Sequence, residues 1–217
     1  MIPDLLARLV SAPDLAEPLP AEPMPVLWRW LLDARDSGEY DDPWAMTLAT
    51  ATPLGVPSAR VVLCKRVCVP DASFIFFTSY ESRKAADLAV NPHAAAVFHW
   101  PHAGRQARIE GTASRLSARE SADYFASRPL LSRIGAHVSR QSRPIASRAE
   151  LIHAALRRAV SAAVEGDPIE RPDWWGGFRL LALRVELWSA CPGRLHHRVR
   201  WERAAPGAPW LATILSP

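Results

Sequence analysis

The sequence predicts a mainly β chain of the α+β class: an antiparallel barrel or strongly curved sheet with helices packed outside it. Three observations carry this. Segments with the two-residue alternation of strands outnumber segments with helical spacing. The strands are joined by turns of hairpin length. Strands do not alternate with long helices, as a parallel doubly wound sheet would require. The chain has 217 residues, 49% of them hydrophobic and 22% charged. That is enough for one domain with a substantial core, expected over residues 24–217, and no repeat or linker divides it.

Each element has its own signal. Residues 1–23 are rich in Pro, Leu and acidic groups without sustained periodicity and read as a flexible N-terminal arm. Leu27, Trp28, Leu31 and Leu32 recur at helical spacing between Pro25 and Gly38. Strands follow at Ala45–Thr52, Ala59–Val69 and Phe74–Ser79, separated by Pro- and Gly-containing turns and close enough to form a meander. A short helix is expected from Ser82 to before Asn91-Pro92, with Arg83 and Lys84 in its first turn, where main-chain donors face anions. Strands Ala94–Trp100 and Gln106–Arg115 come next. Ser117-x-x-Glu120 and Ser147-x-x-Glu150 are capping boxes for helices reaching Ser127 and about Val164; the polar stretch between them, Arg128–Ser142, is expected to be partly helical. Gly177–Trp188 alternates as a long strand, Arg194–Arg203 reads as its partner, and Trp210–Leu215 as a last edge.

Composition narrows the function. The formal charge is +4, but the arginines are dispersed among 22 acidic residues instead of forming a stripe, which argues against nucleic-acid binding. No apolar run is long enough to span a membrane, and the first residues lack a secretory signal pattern, so a cytoplasmic protein is expected. Cys64, Cys68 and Cys191 have no zinc-like spacing and fit reduced thiols; no metal site is expected. Dinucleotide, Walker, nucleophile-elbow and zinc-protease motifs are absent.

The residues that remain form an anion-binding set. Among 26 basic side chains only Lys65 and Lys84 are lysines. In a chain rich in Ala, Arg and Pro, a retained lysine marks a position where a compact point charge serves better than a planar fork; chance retention is the competing reading. Arg60, Lys65, Thr78, Ser82, Arg83 and Lys84 sit at strand ends, followed by Tyr124, Arg128, Ser132, Arg194, His196 and Arg198. Tyr124 and Arg128, four apart on one helix, can grip one group or can be a surface tyrosine under an arginine stem. On a strand, Arg194, His196 and Arg198 would share one face, as a site or as a solvated surface. Trp188 reads either as core or as a ring-stacking platform.

The ordered series Arg60-Val-Val-Leu-Cys-Lys65, Phe76-Phe-Thr-Ser, Ser82-Arg-Lys, Arg105-Gln106, Tyr124-Phe-Ala-Ser-Arg128-Pro, Ser139-Arg-Gln141-Ser142, Trp175-Gly-Gly-Phe, Glu186-Leu-Trp188 and Arg194-Leu-His196 resembles the pyridoxamine (pyridoxine) 5′-phosphate oxidase family. The resemblance implies an antiparallel split β-barrel that binds FMN and acts as a homodimer with FMN at the subunit interface. It implies that Arg60 and Lys84 hold the FMN phosphate, with Arg83 nearby and contacts from Val61, Val62, Leu63, Lys65, Phe77 and Thr78. Gln106, Gln141, Ser142, Trp188 and Arg198 would complete the flavin site, partly from the other subunit. Lys65, Tyr124, Arg128 and Ser132 would grip the phosphate of a pyridine substrate, and Arg194 and His196 would lie at its reacting carbon as the catalytic pair. The implied reaction is oxidation of pyridoxamine or pyridoxine 5′-phosphate to pyridoxal 5′-phosphate, with dioxygen reduced to hydrogen peroxide. A related FMN oxidase of the phenazine-biosynthesis type and a non-catalytic flavin- or pyridoxal-phosphate-binding split barrel are the alternatives. Two positions depart from the family pattern: His197, where an acidic residue usually follows the Arg-Leu-His triplet, and Ile214, where the tail commonly has arginine.

Overall fold

The computed structural model describes residue 15, residues 18–164 and residues 168–217. Helix α1 (Met24–Asp36) buries Met24, Leu27, Trp30, Leu31 and Ala34. The buried face is therefore rotated slightly from the expected one, and Trp28 and Leu32 lie half-buried at its border. Of the expected arm, Leu15 is described and is buried in the main core, and the Pro20 carbonyl accepts a hydrogen bond from Trp201 Nε1 at 2.9 Å. Its described end is packed on the domain; residues 1–14 and 16–17 lie outside the described residues.

Strands β1 (Ala45–Ala51), β2 (Pro57–Leu63), β3 (Arg66–Cys68), β4 (Ser73–Ser79), β5 (His93–Trp100), β6 (Arg105–Arg115), β7 (Trp175–Ser189), β8 (His197–Glu202) and β9 (Leu211–Ile214) form one nine-stranded antiparallel sheet. Its main path runs β2-β1-β5-β6-β7-β4-β3. The two ends of that path are consecutive in sequence. The expected strand Ala59–Val69 breaks at Cys64-Lys65 and changes neighbours there: Cys64 N–H donates to the Trp44 carbonyl at 3.0 Å and Lys65 N–H to the Ile75 carbonyl at 2.7 Å. The sheet thus curls until one segment serves both edges, which leaves little edge exposed. β7, 15 residues long, pairs with β6 along its length, with β4 through its first half and with β8 through its second. This branching gives the strongly curved antiparallel sheet that the strand pattern predicts, in the split-barrel form that the resemblance implies.

Period-two alternation divides the β6-β7-β8 segment into two faces. Ala107, Leu187 and Val199 stand in register, as do Ile109, Val185 and Trp201, and all six are fully buried. The intervening rows are polar: Gln106-Trp188-Arg198, Arg108-Glu186-Arg200 and Glu110-Arg184-Glu202. A register shift between Glu110 and Gly111 marks a bulge, and a Cβ at Gly111 would collide with the Leu181 carbonyl oxygen; only glycine permits so close a backbone approach.

Helices α2 (Arg83–Val90), α3 (Ala118–Ser127), α4 (Leu130–Val138) and α5 (Arg148–Val164) complete the domain. The α3 capping box is fully formed: Ser117 Oγ accepts from Glu120 N–H, and Glu120 accepts from Ser117 N–H. At α5 only half of the expected box exists, because Glu150 accepts from Ala146 N–H instead of Ser147. Phe125, Ile134, Ile169 and Trp175 form a second, smaller core beneath α3 and α4.

The expected strand Arg194–Arg203 begins only at His197. Pro192–Arg194 form a 3₁₀ turn, with Gly193 and Arg194 both left-handed at φ +67° and +61°. Arg194, His196 and Arg198 therefore do not share one strand face, because proline and two left-handed residues cannot continue a pleated strand.

Candidate active site

Strands β2 and β4, the first turn of α2 and the α3–α4 corner wall a cleft of about 930 Å³. Arg60, Val61, Val62, Leu63, Lys65, Phe77, Thr78, Lys84, Tyr124, Arg128, Ser132 and Gln141 all line it. Twelve of the predicted site residues, from segments up to 81 positions apart, thus converge on one space.

One end of the cleft is built on the turn between β4 and α2. Ser82 Oγ donates to the Ser79 carbonyl at 2.7 Å, closing that turn and setting Lys84 one residue into the helix. The Lys84 side chain is only 7% exposed. Its ammonium donates to Thr78 Oγ1 at 3.0 Å, Ser82 Oγ at 3.3 Å and Gln141 Oε1 at 2.7 Å. Burial, and secondarily the Arg60 charge, bring its pKa down to about 8. Arg60 donates to the Leu48 carbonyl, Thr50 Oγ1 and Ser58 Oγ. Burial lowers its pKa, opposed by Asp87 and reinforced by Arg83. No carboxylate among the described residues forms an ion pair with Arg60 or Lys84. Two neighbouring cations held only by neutral oxygens are a ready anion site. A phosphate group fits: Gln141 Oε1 already bridges Lys84 and Thr78 as a phosphate oxygen would, and β2, paired only with β1, turns its other edge toward the cleft.

The other end is aromatic and cationic. Phe77 stacks on Tyr124 at 3.8 Å and on Trp175 at 5.5 Å. The Arg128 guanidinium lies 4.5 Å from the Trp175 ring centre and 5.6 Å from that of Phe125. Arg128 is not on the same helix as Tyr124, as the spacing predicts; it is the extended residue that ends α3, its N–H donating to the Phe125 carbonyl at 3.1 Å. Its Nη1 is buried without a hydrogen-bond partner. Burial lowers the Arg128 pKa and raises that of Tyr124. An unmet buried guanidinium donor is costly, and an anion seated beside Lys65 and Ser132 would satisfy it.

The remaining predicted residues lie elsewhere. Gln106, Trp188 and Arg198 form one row across β6, β7 and β8, away from the cleft lining. His196 leans on the Trp188 ring at 4.6 Å, and its Nδ1 accepts from Cys191 N–H at 3.2 Å, which leaves Nε2 as the ring nitrogen that can donate. Arg194 is exposed, and its left-handed backbone costs about 1 kcal/mol. Arg198 is gripped twice by Glu186 Oε1, at 2.9 and 3.1 Å, and donates to the Ser216 carbonyl at 3.0 Å. Arg83 and Ser142 are not among the lining residues; the Arg83 N–H donates to Ser142 Oγ at 3.3 Å. Sequence reasoning missed Trp175 as a wall of the cleft and missed Thr50, Ser58 and Asp87 behind Arg60. The only sequence signal for Asp87 was its i,i+3 spacing from Lys84; nothing marked Thr50. Among the described residues there is no cluster of potential metal ligands, and no helix is long and apolar enough to cross a membrane.

A curled, branched antiparallel sheet with an anion-competent cation pair on its outer edge defines the chain as a split barrel with a candidate anion site. Residues 38–162 match the family described as pyridoxamine 5′-phosphate oxidase, and residues 175–217 match the pyridoxine 5′-phosphate oxidase C-terminal dimerisation region. The chain is 44% identical over 199 residues to a pyridoxine/pyridoxamine 5′-phosphate oxidase of Bacteroides thetaiotaomicron, covering 92% of this chain and 91% of that one. It is 49% identical over 189 residues to the protein of that name from Paraburkholderia phymatum, covering 87% and 86%. The structure superposes with a TM-score of 0.84 on PhzG from Burkholderia lata, solved with tetrahydrophenazine-1-carboxylic acid, at 32% identity over 96% of this chain and 98% of that one. A pyridoxamine 5′-phosphate oxidase-related, FMN-binding protein from Nostoc punctiforme shares the fold, with a TM-score of 0.71 at 18% identity over 90% and 98% of the two chains. The chain belongs to the pyridoxamine 5′-phosphate oxidase family. It is an oxidase of that family with FMN as its cofactor, and its C-terminal region supports homodimer formation.

Proposed function

We propose that the protein oxidises pyridoxamine 5′-phosphate, or pyridoxine 5′-phosphate, to pyridoxal 5′-phosphate, with dioxygen reduced to hydrogen peroxide. For the amine, water enters and ammonia leaves; for the alcohol, no other product forms. The observation that carries this reading is the pairing of two separate cation sets in one cleft, Arg60 with Lys84 and Arg128 with Lys65. Arg60 and Lys84 hold the FMN phosphate. Arg128, Lys65, Tyr124 and Ser132 hold the substrate phosphate, and anchoring both groups converts an encounter into a fixed approach. FMN supplies the two-electron acceptor that dioxygen regenerates.

In the homodimer the row Gln106-Trp188-Arg198, with Arg194 and His196, faces the cleft of the second copy. There the Nε2–H of His196 can donate to the amine or hydroxyl of the substrate. Arg194, whose guanidinium offers only donors, orients the ring; it is no general base.

The similarity to PhzG favours a second reading, oxidation of a tricyclic carboxylate. Both are tested by adding pyridoxine 5′-phosphate in air to the FMN-loaded protein and following pyridoxal 5′-phosphate and peroxide. Equal yields of the two support the first reading. A flavin spectrum unchanged by this substrate or by pyridoxamine 5′-phosphate, but bleached anaerobically by a dihydrophenazine carboxylate, supports the second.

A further inference from the structure

Behind the phosphate site lies a short polar chain that the proposed function does not use. Asp87, on the same face of α2 as Lys84, is 6% exposed, and Thr50, on β1, is 2% exposed. Thr50 Oγ1 donates to Asp87 Oδ2 at 2.7 Å, and Arg60 Nη1 donates to Thr50 Oγ1 at 2.8 Å. The direction of this relay is forced. Guanidinium has only donors, so Thr50 must accept from Arg60 and spend its single hydroxyl proton on the carboxylate.

We propose that Thr50 and Asp87 are positioning residues for Arg60 at the phosphate site, an inference that rests on the reading of that site given above. The geometry explains both what the relay does and why it is indirect. A carboxylate in direct contact with Arg60 would form a two-pronged ion pair and occupy the fork that a phosphate needs. With one hydroxyl interposed, Asp87 compensates the buried charge while Arg60 stays available. Of the five N–H groups of a guanidinium, three go to Leu48 O, Thr50 Oγ1 and Ser58 Oγ. Two remain for an anion. All three acceptors lie on β1 and β2 and stand within the paired register of those strands, Leu48 opposite Arg60 and Thr50 opposite Ser58. The fork is thus aimed by the barrel wall itself, while α2 brings both Lys84 and the counter-charge. Ordering the long arginine side chain before the ligand arrives removes an entropy cost from binding.

The test is titration of the full-length protein with FMN and with riboflavin, which lacks the phosphate, in the variants Thr50→Val, Thr50→Ser, Asp87→Asn and Arg60→Ala, each checked for folding by thermal melting. Thr50→Val keeps the β-branched shape and removes only the hydroxyl. It should weaken FMN binding about tenfold and leave riboflavin binding within about twofold, whereas Thr50→Ser should restore FMN binding to within about threefold of the parent. Asp87→Asn keeps an acceptor for Thr50 and loses the charge; its loss should be smaller than that of Thr50→Val and again confined to FMN. The inference is overturned if folded Thr50→Val binds FMN like the parent while Arg60→Ala does not, or if Thr50→Val weakens both flavins equally. If Arg60→Ala itself has no preferential effect on FMN, the reading of the phosphate site fails and the relay falls with it.

Discussion

The cleft beside β2 and the polar face of β6-β7-β8 both concentrate arginines or lysines, yet they treat charge in opposite ways. On the sheet face, cations and carboxylates interlock: Arg108 bridges Glu110 and Glu186, Arg198 bonds Glu186, and Arg184 bridges Glu110 and Glu202. In the cleft, Lys84 and Arg60 donate only to neutral oxygens, Asp87 reaching Arg60 only through the Thr50 hydroxyl, and Arg128 has a buried nitrogen without a partner. A compensated lattice gains little from a further anion. Cations without a directly bonded carboxylate keep a desolvation cost that a bound anion can offset. Charge count alone would not separate the two regions; the positions of the carboxylates do.

This contrast can be broken most strongly at Lys84. Lys84→Met should weaken FMN binding about a hundredfold or more, because a charge-assisted contact and a buried positive charge are lost together; flavin fluorescence titration measures it. The same charge can be removed by pH. With a pKa near 8 in the ligand-free protein, Lys84 loses its proton as pH rises through that value, and FMN affinity should fall by about tenfold per pH unit above it. The stability of the ligand-free chain moves the other way. Between about pH 8 and the ordinary lysine value, the unfolded chain holds a proton that the folded chain has released, so stability rises with pH there. Melting curves and FMN titrations at pH 7.5 and 9.5 should therefore shift in opposite directions.

Arg128→Met should raise KM for the phosphorylated substrate by about thirtyfold and leave FMN content unchanged, since its unmet donor lies at the other end of the cleft; steady-state kinetics beside the flavin absorbance ratio decide this. Glu186→Gln acts on the compensated face. It removes the charge that grips Arg198 and Arg108 and should lower Tm by about 3–8 °C. If Glu186→Gln had no effect on melting while Lys84→Met lowered Tm sharply, the division into ligand site and structural lattice would be reversed.

Much of this was legible in the residues. The helix cap at Ser117, the start of a helix near Ser82, the positions of the strands and the retention of Lys65 and Lys84 follow from local chemistry that acts over a few positions. The Tyr124–Arg128 pairing rested on a shared helix face: both line one cleft, but Arg128 reaches it from an extended cap at the end of α3. The strand expected over Arg194–Arg203 failed at its start, where Pro192 and the left-handed Gly193 and Arg194 override the alternation of the side chains.

The sequence by itself determined an antiparallel β protein with outer helices and an inventory of anion-binding side chains, because periodicity, capping and turn chemistry are short-range and survive without the rest of the chain. Only the tertiary structure decided which of those side chains share a space, that Thr50 and Asp87 stand behind Arg60, and that Gln106, Trp188 and Arg198 lie apart from the cleft. Those relations come from strand register and barrel closure, which join residues dozens of positions apart, and no local pattern encodes where a carboxylate will come to rest relative to an arginine.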